Sequence, residues 1–242
     1  MINIVIPMAG RGSRFADAGY TTPKPLIDVL GKPMIAQVSD NVRPAQAHRF
    51  LYLCLQEHIE QYDLRERLAA ISPGCEVISV DHVTEGAACT VLLAEDYIDN
   101  DEPLMIANSD QLVDYPIDEY LKAGEGKDGL IMTVHADGAN FSYLCHDEEG
   151  RVTLVREKEK ISNEATVGIY NYARGKDYVR FAKKMIEDDL RIKGEFYVAP
   201  VYNLLIEAGM HIGYHNVGTF EGTMHGLGTP EELNAYLALA RN

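Results

Sequence analysis

The sequence predicts an α/β fold, a three-layer α/β/α sandwich around a mixed, mostly parallel central sheet, as one domain over residues 1–242. Three observations predict it. β-branched apolar runs alternate with helix-period segments through about residue 115, as parallel strands joined by crossover helices require. From Gly129 the spacing tightens into consecutive strands, which argues for antiparallel pairing in the second half. The length, 242 residues, suffices for one large core without a second domain.

Taken in order, Ile2, Ile4, Val5 and Ile6 form a short run expected to be a buried first strand, ending at Ala9-Gly10-Arg11-Gly12. Gly19 to Pro23 is rich in turn formers. Met34–Gln46 reads as a helix ended near Pro44, Arg49–Leu55 as a strand, and Glu57–Ile71 as a helix with Ile59, Tyr62, Leu64, Leu68 and Ile71 inward. Cys75–Val80 is the next strand, and Thr84-Glu85-Gly86-Ala87-Ala88 opens a helix running through Ala94. Leu104–Ala107 is the fourth strand, ending in Asn108-Ser109-Asp110-Gln111. Strands are then expected at Leu130–His135, Phe141–Cys145, Val152–Arg156 and Ala165–Tyr172. Val179, Ala182, Ile186 and Leu190 mark a helix ending before Gly194. The last helix opens on a capping box, with Thr229 as cap, Pro230 at the first position and Glu232 three residues on. Leu233, Tyr236, Leu237 and Ala240 are its expected buried stripe.

Composition excludes several function classes. Lys plus Arg number 22 against 37 Asp plus Glu, a net charge of −15, and no basic tract is present to displace counterions from nucleic acid. Cys54, Cys75, Cys89 and Cys145 show no Cys-x-x-Cys spacing; the first three sit in apolar surroundings and read as small buried thiols in a reducing compartment. The Ile2–Ala9 run has no basic segment before it and is too short for a signal peptide, and no apolar window is long enough for a bilayer. A soluble, cytoplasmic protein with no membrane partner is expected. The sequence leaves monomer against homo-oligomer open.

The chemistry gathers at residues 7–26. A strand breaking into Gly10 and Gly12 puts flexible backbone at the carboxyl end of a sheet, where α/β proteins bind ligands. Backbone N–H groups at glycines approach phosphate oxygens closely, and Arg14 and Lys24 add two positive charges. That set suits a triphosphate. It is not a Rossmann fingerprint, since Phe15 stands at the third glycine position. Nor is it a Walker loop, since Gly31-Lys32 is followed by Pro33.

Met8-Ala9-Gly10-Arg11-Gly12-Ser13-Arg14-Phe15, then Lys24-Pro25-Leu26, then Gly31-Lys32-Pro33-Met34-Ile35 resembles the opening of the sugar-phosphate nucleotidyltransferases, or nucleotide-sugar pyrophosphorylases. The resemblance implies the nucleotide-diphospho-sugar transferase-like fold, with nucleotide bound by about residues 1–115 and acceptor by about 116–242. It implies transfer of NMP from an NTP to a phosphorylated small-molecule acceptor with release of pyrophosphate. The acceptor would be a sugar 1-phosphate or a similar phospho-compound, as in polysaccharide-modification pathways. Met8, Ala9, Gly10, Gly12 and Ser13 would hold nucleotide, with Gly86, Ala87 and Asn108. Arg14 would stabilise the leaving pyrophosphate, and Lys24 would sit between the α-phosphate and the acceptor phosphate.

Asp110 follows an apolar strand and is the first candidate for Mg²⁺, a hard cation suited to carboxylate and phosphate oxygens; the resemblance makes it the metal-binding aspartate. Val155-Arg156-Glu157-Lys158 ends a strand eleven residues before Gly168-Ile169-Tyr170, similar to the family's Glu-Lys pair and Gly-x-Tyr strand. By that resemblance Glu157, Lys158 and Gly168 belong to the acceptor site. Glu159-Lys160 follows at once, so a register two residues on stays open. One departure stands out. Many members carry Trp-x-Asp-x-Gly-Thr near the carboxyl end, its aspartate joining the metal; here Met224-His225-Gly226-Leu227-Gly228-Thr229 has Gly226 in that place. Another group, with Glu221 and His225 nearest in sequence, or water would complete the shell. The alternatives are a nucleotide-sugar-consuming glycosyltransferase, disfavoured by the missing Asp-x-Asp, and a non-catalytic nucleotide-binding regulator.

Overall fold

A computed structural model of the protein describes residues 1–138 and 141–240. The first strand, β1 (Ile2–Pro7), shows why its neighbourhood is a parallel sheet. Ile4 and Ile6 join one apolar cluster while Val5 joins the other, so both faces of the strand are covered. The same holds for β4 (His48–Leu55), where Phe50, Tyr52 and Cys54 face one layer and Leu51, Leu53 and Leu55 the other. β5 (Glu76–Val80) and β6 (Leu104–Ala107) complete a parallel set in the spatial order β6-β1-β4-β5. A small hairpin of β2 (Asp28–Val29) and β3 (Lys32–Pro33) stands apart.

The second half adds β8 (Gly129–His135), β9 (Ser142–His146), β10 (Val152–Glu157), β11 (Glu164–Tyr172) and β12 (Ile212–Thr219) to the same sheet. β11 runs antiparallel to all its neighbours and divides one edge between two of them. Ala165 pairs with Tyr143 of β9, whereas Ile169 to Tyr172 pair with β6, and β8 occupies the opposite edge. The sheet therefore forks at Thr166–Gly168, where the β8 pairing also slips register. β7 (Gln111–Val113) and β13 (Met224–Gly226) form a separate ribbon, with Gln111 opposite Gly226.

Helices cover both faces. α2 (Met34–Asn41), α3 (Gln56–Gln61), α4 (Leu64–Ile71), α7 (Ile117–Ala123) and α10 (Pro230–Leu239) contribute to one cluster, together with Phe15 of the short α1 (Ser13–Asp17). α5 (Ala87–Leu92), α6 (Glu95–Ile98), α8 (Gly175–Glu187) and α9 (Val201–Glu207) contribute to the other. Among the described residues no helix is long and apolar enough to cross a membrane.

Several expectations are corrected. The helix expected over Met34–Gln46 stops at Asn41, because Pro44 has no N–H to give and disfavours helical backbone just before it. The single helix expected over Glu57–Ile71 is two, broken where Asp63 takes a left-handed φ of 51°. The helix expected through Ala94 divides into α5 and α6. On α10 only Leu233 is buried; Tyr236 and Leu237 are half-buried and Ala240 is exposed. Cys54 is buried and its thiol pushed up to about 12 by desolvation, but Cys75 and Cys89 are only partly covered.

The capping box forms as expected: Glu232 N donates to Thr229 Oγ1 at 3.2 Å and Thr229 N to Glu232 Oε2 at 3.1 Å. Thr229→Ala is expected to cost about 1 kcal/mol of stability in a denaturant titration. A midpoint unchanged from wild type would show that the cap contributes nothing here.

Candidate active site

Parallel pairing of β1 with β6 sets the loops that follow them, Met8–Gly12 and Asn108–Asp110, on one sheet edge. Asn108 N donates to Gly168 O at 2.9 Å, which fastens that loop to the fork in β11. A cavity of about 790 Å³ opens there, lined by Arg14, Lys24 and Asp110 and by Ser142, Glu157 and Lys158. A second cavity of about 260 Å³ is lined by Met8, Ala9, Gly10, Gly12, Thr84 and Gly86. Pro7, Lys24, Ala87 and Ser109 border both, so Lys24 stands at the junction.

Each nominated residue has a place. Asn108 and Gly168 line the larger cavity with Arg14, Lys24, Asp110, Glu157 and Lys158, and Ala87 lines both. Ser13 lines neither; it is the exposed first residue of α1. Gly12 has a left-handed φ of 61°, a conformation that glycine adopts without strain. At Gly10 a Cβ would meet nothing within 4 Å, so the protein fold itself does not require glycine there. At Gly86 it does: a Cβ would fall 2.6 Å from Phe196 N, because the 195–199 segment closes over the start of α5. Phe196 N bonds Glu85 O at 2.8 Å and Ala88 N bonds Phe196 O at 3.1 Å.

The electrostatics are specific. Lys24 Nζ lies 2.7 Å from Asp110 Oδ2, with both side chains mostly shielded from solvent. Arg14 has no ion-pair partner among the described residues. Burial pushes the Glu157 carboxyl above its usual range, against the hydrogen bond it accepts from Ser142 Oγ. Lys158, at a left-handed φ of 54°, donates to the Tyr197 hydroxyl and lies 4.5 Å from that ring's centroid. The Tyr197 bond is the main reason its ammonium is held above the usual lysine range. Lys160 instead pairs with Asp137 at 2.7 Å, outside the cavity.

Neither residue nearest Gly226 in sequence reaches the cavity. Glu221 is exposed and His225 Nε2 is held by Asp114 Oδ2 at 2.9 Å. The carboxylate beside Gly226 is Glu232, which a Cβ on that glycine would approach to 2.9 Å at Cδ. Among the described residues no cluster of three or more His, Cys, Asp or Glu side chains could hold a metal ion. Asp110 and Glu232 nevertheless offer hard oxygen donors on one wall, a set that suits Mg²⁺ if a ligand supplies the remaining oxygens.

Sequence reasoning missed Glu232, Gln111, Ser142 and Tyr197. Gln111 is 5% exposed and its Nε2 has no partner, although it lines the larger cavity. A Cβ at Gly168 would lie 2.8 Å from that nitrogen, so glycine there is what admits the carboxamide. Its position directly after Asp110 was the only available signal.

A family model described as "Nucleotidyl transferase" matches residues 4–199. The catalytic subunit beta of mannose-1-phosphate guanylyltransferase from Drosophila pseudoobscura pseudoobscura is 28% identical over 174 residues, covering 69% of this chain and 46% of the relative. The chain thus spans about half the length of the curated relatives it matches. A nucleoside-diphosphate-sugar pyrophosphorylase from Vibrio cholerae RC9 is 28% identical with a TM-score of 0.85, covering 97% of this chain and 99% of that one. The inositol-1-phosphate CTP transferase of T. maritima shares the fold at 17% identity, with a TM-score of 0.72 over 99% of this chain and 94% of the other.

Glu157 yields a prediction about pH. Its folded pKa lies above the unfolded value, so its contribution to stability is full below about pH 4.3 and is lost as pH rises through the raised folded value. Glu157→Gln should therefore melt higher than wild type at neutral pH, with the gap closing near pH 4. A gap of equal size at both ends of the titration would show that the carboxylate carries no burial penalty.

Proposed function

The chain belongs to the nucleotidyl transferase family, and we propose that it transfers NMP from an NTP to a phosphorylated small-molecule acceptor, releasing pyrophosphate. The observation that carries this reading is Lys24 at the junction of two cavities, one floored by the glycine loop and the other by Glu157 and Lys158. A reaction that joins two phosphorylated substrates needs a cation where they meet. The relatives named for guanylyl transfer to mannose 1-phosphate and for nucleotide-sugar pyrophosphorylase activity support the same class, and with it a role in nucleotide-sugar biosynthesis.

In this reading the nucleotide lies over Met8 to Gly12 with its base toward Gly86 and Ala87, and its phosphates run to Arg14 and Lys24. The acceptor lies beyond Lys24. Glu157 accepts hydrogen bonds from its hydroxyls, Lys158 faces its phosphate, and Gln111 offers an N–H. An acceptor phosphate oxygen forms a bond to the α-phosphorus as the bond to pyrophosphate breaks. That oxygen is already anionic at neutral pH, so no strong general base is needed. Alignment and charge neutralisation supply the rate. Lys24 neutralises the meeting phosphates and Arg14 the leaving pyrophosphate. Asp110 would hold Mg²⁺, which supplies Lewis-acid stabilisation of the phosphate charge when bound.

Four NTPs crossed with sugar 1-phosphates and other phosphorylated acceptors, read as pyrophosphate release, test the reading; a glycosyltransferase would release none. Arg14→Ala or Lys24→Ala should lower turnover by about two to three orders of magnitude in a folded protein. Near-normal turnover in either variant would remove that residue from the mechanism.

Lys158→Ala should raise the acceptor KM about tenfold or more, the loss of a charge-assisted hydrogen bond, with little change in the NTP KM. Lys160→Ala should do neither. The reverse pattern would move the acceptor contacts two residues along the chain.

A further inference from the structure

We propose that Glu232, the third residue of α10, supplies the second protein carboxylate of the divalent-cation site that Asp110 begins. The proposal rests on the nucleotidyl transfer reading and names how this chain furnishes the site despite the glycine at 226.

The two oxygens of Glu232 have different work. Oε2 accepts from Gly228 N at 3.0 Å and Thr229 N at 3.1 Å, the reciprocal half of the helix cap. Oε1 makes no hydrogen bond, and the carboxylate has no ion-pair partner, among the described residues. A helix cap needs one oxygen. The other stays on the cavity wall, beside Gly226 and Gly228.

Those glycines make the approach possible. A Cβ at Gly228 would lie 2.9 Å from Asp110 Oδ2 and 3.3 Å from Glu232 Oε2, so the two carboxylates meet across one small gap through the oxygens that hold Lys24 and the cap, with Oε1 on the Gly226 side. A Cβ at Gly226 would lie 3.2 Å from Oε1, so a side chain there and the present Glu232 compete for the same space. Leu227 N bonds Asp110 O at 2.8 Å, which laces this segment to the loop that bears Asp110. Lys24 is paired to Asp110, leaving the charge of Glu232 uncompensated by the protein. Independently, buried Gln111, opposite Gly226 in the β7–β13 ribbon, is a lining residue of the same cavity, and its Nε2 is a donor left without a protein partner.

Glutamine also serves at the third position of a capping box, so Glu232→Gln keeps the cap while removing the charge. The experiment titrates Mn²⁺ into wild type, Glu232→Gln and Asp110→Asn by electron paramagnetic resonance, with and without a non-hydrolysable NTP analogue. Melting temperatures and analogue binding without metal are measured alongside. Glu232→Gln should weaken Mn²⁺ about tenfold or more while keeping the wild-type melting temperature and metal-free analogue affinity. The double variant Gly226→Asp/Glu232→Ala brings a carboxylate from the other side of the gap and should recover Mn²⁺ affinity relative to Glu232→Ala. Mn²⁺ held as tightly by Glu232→Gln as by wild type, with Asp110→Asn impaired, would make Glu232 a cap alone and overturn the proposal. If wild type takes no triphosphate, the nucleotidyl transfer reading falls, and Glu232 is judged by the Mn²⁺ bound without nucleotide.

Discussion

The site depends on one constraint in the sheet: β11 cannot pair with β6 and β9 along the same stretch of the same edge. It pairs with β9 at Ala165 and with β6 from Ile169, and between them its backbone turns away from a regular ladder. Gly168 sits in that gap with a left-handed φ of 76°, its carbonyl held by Asn108 N. The fork lets the end of β6, which carries Asn108 and Asp110, face the end of β10, which carries Glu157. A continuous sheet would have filled the space with paired backbone. The larger cavity is therefore a consequence of strand pairing, and the side chains specialise a space the backbone had already opened.

How much of this was legible in the sequence follows from the kind of signal each part leaves. Strands buried on both faces are largely apolar, so β1, β4 and β6 announce themselves as runs, whereas β11 also buries Glu164, Thr166 and Asn171. The glycine loop and Asp110 were legible because they follow such strands within a few residues, and Lys24 because it opens the Lys24-Pro25-Leu26 motif. The break at Asp63 left no sign, because an aspartate can take left-handed backbone without a glycine to mark it. β7 and β13 are three residues each, too short for alternation to show. Tyr197 and Glu232 reach the cavity from segments remote in sequence from the residues they meet, and neither stands in a motif that names its partner. Glu232 was even assigned a role, as the third residue of a capping box, and that role is real. What local pattern could not reveal is that a cap leaves one carboxylate oxygen over.

Charge distribution joins these parts. A chain with a net charge of −15 is poorly suited, as a whole, to attract a polyphosphate. Outside the cavity several of its cations are held in ion pairs, Lys183 with Glu95, Lys184 with Asp188, Arg191 with Glu85 at 2.9 Å, and Lys160 with Asp137. Affinity must then come from the cavity itself. Among the described lining residues of the larger cavity Arg14, Lys24 and Lys158 match Asp110, Glu157 and Glu232 in number, and the smaller cavity adds Glu195. A triphosphate brings several negative charges, of which the positive side chains here offset only a part. Lys24 cannot serve Asp110 and a phosphate at full strength together, and Lys158 is at present spent on a neutral phenol. The balance closes if the nucleotide brings its own divalent cation and the carboxylates turn from liabilities into ligands. On that argument the acidic groups beside Lys24 would favour a metal–triphosphate over the bare polyanion.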